Sequence, residues 1–565
     1  MSSPRLRVQF ETLFEHYQGK DCGVQLEEIT EILFCTRRNA RIVLNKMEEE
    51  GWLEWHPAPG RGKLSQLVFK RSRSDVSETL ARRYLDEGKI SQALKALDQD
   101  TAKLAQVIES YLGVVHQQGE QVIRLPYYRP LSTLNPAKRV RRSELHIITQ
   151  IFSGLTKIGD QERIEPDIAH NWESVTPQHW RFYIRSGVRF HNGELLTTDH
   201  ILSVLRRLSQ NTLFSHIERV ECRYANTIDV YLSRPDYHLP VLLAESSAKI
   251  TLPERDQQDD YDAFPIGTGP FKVVQNDAKR LVLQAHDGYF GYRPLLDRVE
   301  VWVIERALSS MIFPSLSQPI ATGIERVTDN VELDPGCTFL LLNRRTGLAQ
   351  ASQWANYFHD RLATLNLFKQ IPDEKLVELG ALPAHGLKPG WYHHIKTDAV
   401  EAPSTEREVT VAYQSQHPMF PTLVRCIERV LKQDKVSVRL IRYEHETPDL
   451  ADVDIWVKAM GLTNNRDDAL AAWLLSYSDI EAMSQSDDFQ YWQQLVTDWQ
   501  SDQNRPFPAK ALGQSLVERM QLIPMFHCWL GVSKDQCGSL QNAQCNALGW
   551  FDFSSVWVKP ELGQL

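Results

Sequence analysis

The sequence predicts an α/β protein in two parts: an N-terminal winged helix-turn-helix and a long mixed region with room for two lobes. Three observations carry that expectation. Leu26 to Lys63 reads helix, turn, helix, strand, turn, strand, with cations gathered at the start of the second helix and in the last turn. From Gln121 to the C-terminus strands and helices mix, with no internal repeat and no low-complexity stretch. The 565 residues suffice for two or three domains, each with its own core.

Taken in order, Leu6, Leu13 and Phe14 form the apolar face of a first helix, expected to pack under the helix pair. Leu26, Ile29, Ile32 and Leu33 recur at helical spacing with glutamates opposite, and a break follows at Phe34-Cys35. Thr36 suits the N-cap of the next helix, which is expected to bury Ile42, Val43 and Met47. That helix opens Thr36-Arg37-Arg38-Asn39, with Arg41 one turn on, and no acidic residue lies between Ile32 and Met47. Such a first turn can meet base edges in the major groove, where Arg and Asn offer bidentate donors to guanine and adenine. Trp52 to Trp55 and Leu64 to Phe69 alternate as strands around a Pro57 to Gly62 turn, which places Arg61 and Lys63 near the tip of a phosphate-touching wing. The expected DNA-binding residues are therefore Thr36, Arg37, Arg38, Asn39, Arg41, Arg61 and Lys63, and the partner is double-stranded DNA.

The net charge of −9 does not exclude that partner, because the footprint of a DNA reader is local. The N-terminus is amphipathic and lacks the apolar core of a secretory signal, and no apolar run is long enough to span a bilayer. The eight cysteines never form a Cys-x-x-Cys pair, which argues against zinc and a disulfide framework and for reduced thiols. The expectation is a cytoplasmic protein without a membrane partner, metal or other cofactor.

Val76 to Leu112 is expected to be a helical connector or a dimerisation arm, broken at Gly88 and at Asp98 to Thr101, with Leu80, Tyr84, Leu94 and Leu104 on its apolar face. No catalytic constellation is apparent. Gly267-Thr268-Gly269 lacks the rest of a phosphate loop, and the adjacent pairs His393-His394 and His527-Cys528 point opposite ways on a strand.

Several segments resemble the extracytoplasmic solute-binding proteins of the oligopeptide and nickel class. They are Ile151-Phe152-Ser153-Gly154-Leu155-Thr156, Pro166 to Trp172, Trp180 to Gly193 with its Asn192-Gly193 turn, Pro265 to Phe271, and Tyr289 to Pro294. Fused to a winged helix, such a fold resembles the SgrR-type bacterial transcriptional regulators, and Arg61-Gly62-Lys63, Tyr127 to Leu131 and Leu548 to Phe553 are similar to that family's own sequence. The resemblance implies a two-lobed, periplasmic-binding-protein-like domain. It implies a regulator that senses accumulated sugar phosphate, activates a small-RNA gene and represses its own. RNA polymerase is a further candidate partner, one through which signalling could run. The alternative is a solute-binding component of a peptide or nickel transporter. A third reading makes the second part only an interaction platform.

The expected boundaries are about 1–74 for the winged helix, with the helix-turn-helix at about 26–49, and about 75–118 for the connector. The binding domain then covers about 119–565, with lobe one at 119–340 and 522–565 and lobe two at 341–521. A phosphosugar in the crevice needs a cation and an aromatic face. Tyr128, Arg129, Trp172 and Asn343 are the residues expected to bind it. Thr463 to Asp468 falls where peptide binders carry an acidic residue, but that role is not carried over.

Overall fold

A computed structural model describes residues 4–59, 63–97, 107–108, 110–117, 119–159, 161–252, 260–304, 328–378, 380–393, 401–404, 407–444, 447–477, 479–533 and 539–560. The chain divides into two compact units, Met1–Leu112 and Gly113–Leu565. Arg61, Leu104, His394 and the expected break at Asp98 to Thr101 lie outside the described residues.

In the first unit α1 (Pro4–His16) leads through β1 (Cys22–Val24) to α2 (Leu26–Ile32) and α3 (Arg37–Glu49). Then come β2 (Leu53–His56), β3 (Ser65–Phe69), α4 (Arg73–Asp86) and α5 (Ile90–Leu97). The strands form an antiparallel sheet in the order β1-β3-β2, so β2 and β3 make the wing. The bend between α2 and α3 is built on Phe34, a non-glycine residue at φ 47° that is 96% exposed. At the other end of α3, Gly51 at φ 69° closes the helix, its N–H donating to Glu48 O and that of Trp52 to Met47 O. Glycine has no Cβ to oppose that left-handed turn, which sends the chain directly into β2.

The core joins Leu6, Phe10 and Leu13 of α1 to Ile29 of α2, to Ala40, Val43, Leu44 and Met47 of α3, and to Trp52, Leu53 and Leu67 of the wing. Val43 and Met47 are buried as expected, but Ile42 is 45% exposed. With about 100° per residue it stands about 200° from Ala40, on the solvent side of the helix. Val76 and Leu80 of α4 enter the same core, so the start of the segment read as a connector packs as part of the N-terminal unit. Gly88 at φ 71° marks the turn between α4 and α5.

Among its described residues the second unit holds three larger sheets. Five strands run in the order Phe271–Asn276, Arg280–Ala285, Arg298–Val303, Glu120–Tyr127, Gly113–Gln117. The helix Arg142–Ile151 packs on this sheet through Ile147, Ile148 and Ile151, and Trp550, Phe551 and Phe553 complete that core. A four-stranded antiparallel sheet, Ile217–Glu221, Thr227–Leu232, His179–Ile184, Ala169–Thr176, is backed by the helix Thr198–Leu208. The third sheet orders Thr328–Leu333, Leu522–Ser533, Thr338–Leu342, Ile455–Ala459, Val409–Gln414 and Val438–Tyr443, with Ala381–Pro383 also pairing on Leu522–Ser533. Its inner strands, the wholly buried Thr338–Leu342 among them, are covered by the helices Ser352–Arg361 and Phe420–Gln433.

The expected lobe boundary at 522 differs from this pairing. Thr338–Leu342 and Leu522–Ser533 are antiparallel neighbours within the third sheet, with Leu341 opposite Leu522. Ile523, Met525 and Phe526 accordingly bury in the core of the second lobe, whereas Leu540 to Val558 return to that of the first.

Candidate functional site

On α3 the Thr36 hydroxyl caps the helix by accepting from Asn39 N at 3.3 Å. The amphipathic pattern that buries Ala40, Val43, Leu44 and Met47 leaves Arg38, Arg41 and Asn45 exposed together on the opposite face. Arg37 is also exposed, but it is ion-paired with Glu27 of α2. Asn39 is half-buried, with its backbone in the cap. Lys63 is exposed just before β3, and Arg61 lies outside the described residues. Among the described residues Arg38 and Arg41 have no ion-pair partner, so two guanidinium groups and the Asn45 amide share one exposed helix face.

In the second unit a cavity of about 290 Å³ opens between the first sheet's helix, the Glu245–Ser247 stretch and the third sheet. Five cations line it, Arg129, Arg139, Arg141, Arg142 and Lys458, against the carboxyl groups of Glu144, Glu245 and Asp334. Two of the five are neutralised. Arg129 holds Glu144 through a two-pronged pair, Nη2 to Oε2 at 2.9 Å, and Arg142 is paired with Asp334. Burial opposes both charges of the first pair, yet mutual attraction keeps Arg129 above and Glu144 below their ordinary values.

The other three cations are less well matched. Arg141 donates to the neutral Gln416 Oε1 at 3.0 Å and to Glu444 O, and burial lowers its pKa. Arg139 and Lys458 converge on one oxygen, Oδ2 of Asp479. Burial brings Arg139 down to about 10 and Lys458 well below the usual ammonium value, with Arg139 adding to the second shift. His417 on the cavity wall registers the same field. Burial, then the charges of Arg142, Arg129 and Arg141, push it down to about 3. An anion entering here would find cations whose charge the protein itself underpays.

Aromatic faces stand beside these charges. Lys458 Nζ lies 3.6 Å from the Trp456 ring centroid, Arg139 sits over Tyr477 at 5.4 Å, and Tyr128, Trp473 and Tyr443 also line the cavity. Burial pushes the Glu245 carboxyl up to about 7, while its Oε2 accepts from Thr463 Oγ1 at 3.0 Å.

Of the four residues expected to bind ligand, Tyr128 and Arg129 line the cavity, and Trp172 and Asn343 do not. Trp172 is half-buried on the four-stranded sheet. Asn343 is fully committed: its Nδ2 donates to Thr346 Oγ1, Leu450 O and Val453 O, and its Oδ1 accepts from Arg345 N and Thr346 N. Asp467 and Asp468 are tied to Lys388 and Arg466. Sequence reasoning missed Arg139, Arg141 and Lys458. The run Lys138-Arg139-Val140-Arg141-Arg142 ahead of a helix was a visible signal for the first two. Among the described residues no group of three or more His, Cys, Asp or Glu could hold a metal, and no helix is long and apolar enough to cross a membrane.

A helix-turn-helix with a basic reading face, joined to a two-lobed binding fold, defines the class of DNA-binding regulators that carry a solute-binding domain. Residues 5–119 match the family model described as sugar transport-related sRNA regulator N-term, and 163–312 match bacterial extracellular solute-binding proteins, family 5 middle. The HTH-type transcriptional regulator SgrR of Pectobacterium atrosepticum is 35% identical, covering 99% of this chain and 100% of its own. That of Yersinia pseudotuberculosis is 33% identical over the same shares. The chain belongs to the SgrR family of transcriptional regulators.

The solved structures share the fold. The Escherichia coli murein tripeptide binding protein MppA superposes at TM-score 0.63 and 15% identity, over 79% of this chain and 100% of its own. The oligopeptide-binding protein AppA of Bacillus subtilis gives 0.62 and 14%, over 78% and 99%.

Proposed function

We propose that this regulator reads DNA with α3 and the wing, and that the cavity of its second unit binds a small anionic ligand, a sugar phosphate, which changes its DNA affinity. Acting in the cytoplasm, it would activate a small-RNA gene and repress its own when sugar phosphate accumulates. The supporting observation is five cationic side chains gathered against the carboxylates of Glu144, Asp334 and Asp479 in a cavity walled by tryptophan and tyrosine. Phosphate takes charge-assisted hydrogen bonds from Arg and Lys, and a sugar ring offers its apolar face to aromatic rings. Serving a peptide transporter would call for the opposite balance at the peptide amine, and Glu245, largely uncharged below pH 7, is a weak candidate for that role.

The test is reciprocal titration. Full-length protein is titrated with glucose 6-phosphate, fructose 6-phosphate, inorganic phosphate and a tripeptide, each with and without a DNA duplex that the protein selects. Allosteric coupling of about 1–3 kcal/mol would move DNA affinity roughly 5- to 150-fold, and DNA would change ligand affinity by the same factor. Tripeptide binding without sugar-phosphate binding would favour the transporter reading. Tight sugar-phosphate binding that never moves DNA affinity would place signalling in another contact, such as one with RNA polymerase.

A further inference from the structure

The reading helix carries an apolar side chain that the protein core does not use. Ala40, Val43, Leu44 and Met47 fix the core side of α3, and Ile42 stands nearly opposite them at 45% exposure, against 6% for Val43 and 0% for Leu44. Its neighbours on that face are Arg38 one turn before it, Arg41 beside it and Asn45 nearly one turn after it, all exposed. A β-branched residue is a poorer helix former than Arg, Lys or Gln, so neither helix stability nor solubility favours isoleucine at this position.

The face is otherwise that of an anion reader. Arg38, Arg41 and Lys46 are the charges around Ile42, and the first acidic residues of the helix, Glu48 and Glu49, come about 10 Å further along it. In the major groove Arg matches guanine O6 and N7, Asn matches adenine N6 and N7, and the one apolar group on any base edge is the C5-methyl of thymine. A helix lying there with Arg38, Arg41 and Asn45 toward the base edges carries Ile42 toward them as well.

We infer that Ile42 packs on the C5-methyl group of a thymine in the major groove and is a sequence-reading residue of this protein. The inference rests on the assignment of α3 as the DNA reader and deepens it. It commits the exposed isoleucine to duplex DNA rather than to a protein partner.

The full-length chain is used to select duplexes from a randomised pool. Each thymine of a selected duplex is then replaced singly by deoxyuridine, which removes only the methyl group. Wild-type affinity falls about fourfold at one or more positions, the effect of one buried methyl-sized group. Ile42→Ala binds the thymine and deoxyuridine duplexes equally at those positions, Ile42→Val keeps the preference, and Arg38→Ala binds more weakly but still distinguishes them. Because Ile42 lies outside the core, its variants keep the wild-type melting temperature. Wild-type indifference to every deoxyuridine, or an unchanged preference in Ile42→Ala, overturns the inference while leaving the DNA-reading assignment intact. Failure to select any sequence overturns that assignment and this inference with it.

Discussion

Replacing Glu144 by Gln should destabilise the second unit by about 3–5 kcal/mol, the cost of leaving one member of a buried ion pair uncompensated. The structure supports the upper class of effect. Arg129 and Glu144 side chains are 4% and 5% exposed, the contact is two-pronged, and the guanidinium also lies over Tyr127 at 5.4 Å and Tyr128 at 5.8 Å. Water cannot replace the lost carboxylate without opening that packing. The double variant Arg129→Met/Glu144→Met removes both charges and should fall close to wild type, because two desolvation penalties vanish with one attraction.

Equilibrium urea unfolding gives the difference from the shift in midpoint and the slope. A loss below about 1 kcal/mol, the range of exposed pairs, would refute the buried-pair argument. The pH dependence has a defined sign. Glu144 lies below its ordinary value in the folded chain, so its contribution is complete above the unfolded value of about 4.3 and is lost as pH falls through the folded one. The double variant should therefore lose less stability than wild type on acidification. It should also keep its ligand affinity. Loss of binding in that variant would restore Arg129 as a direct ligand contact.

Further outcomes follow from the same geometry. Lys458→Met and Arg141→Gln should each weaken sugar-phosphate binding by roughly 10- to 150-fold in calorimetry, the value of about 1.5–3 kcal/mol for a hydrogen bond to a charged group. Binding should weaken as pH rises through about 7, where Glu245 ionises against the ligand's charge; Asp468 reinforces that shift and Lys249 and Arg466 oppose it, and Glu245→Gln should flatten the profile. In gel shifts Arg38→Ala should cost about 1–3 kcal/mol of specific binding, more than Arg37→Ala, whose guanidinium is already held by Glu27. Lys63→Ala and Arg61→Ala should weaken all sequences alike and reduce the salt dependence, as loss of a phosphate contact does.

The N-terminal unit was legible because its signals are local. The apolar spacing of α2, the Thr36 cap and the strand alternation of the wing each lie within a few residues, and periodicity reports such patterns directly. Its one misplaced side chain shows the limit of that method. Ile42, Val43 and Leu44 are consecutive and all apolar, and the roughly 200° they span cannot all face one core. The choice is made by tertiary packing: Phe10 of α1, Trp52 and Leu67 share one buried core with Val43 and not with Ile42.

The cavity is the opposite case, because its chemistry is made by residues remote in sequence. Arg139 and Lys458 meet at Asp479, and Arg141 reaches Gln416 and Glu444. No local pattern announces those meetings, and the family resemblance supplied a fold without placing these side chains. Of the residues that sequence favoured, Tyr128 and Arg129 line the cavity, but Asn343 and Arg129 already have partners within the fold. Asn343 draws attention as a polar residue after an apolar run, yet that position is what its structural task requires: it gathers three donations and two acceptances that close the loop after Thr338–Leu342. Arg129 has the right chemistry, but Glu144 already holds it. Distinguishing a charge that serves the fold from one left for a ligand therefore requires the partner's position. By that criterion the proposed anion site would rest on Arg141 and on the two cations that share Asp479.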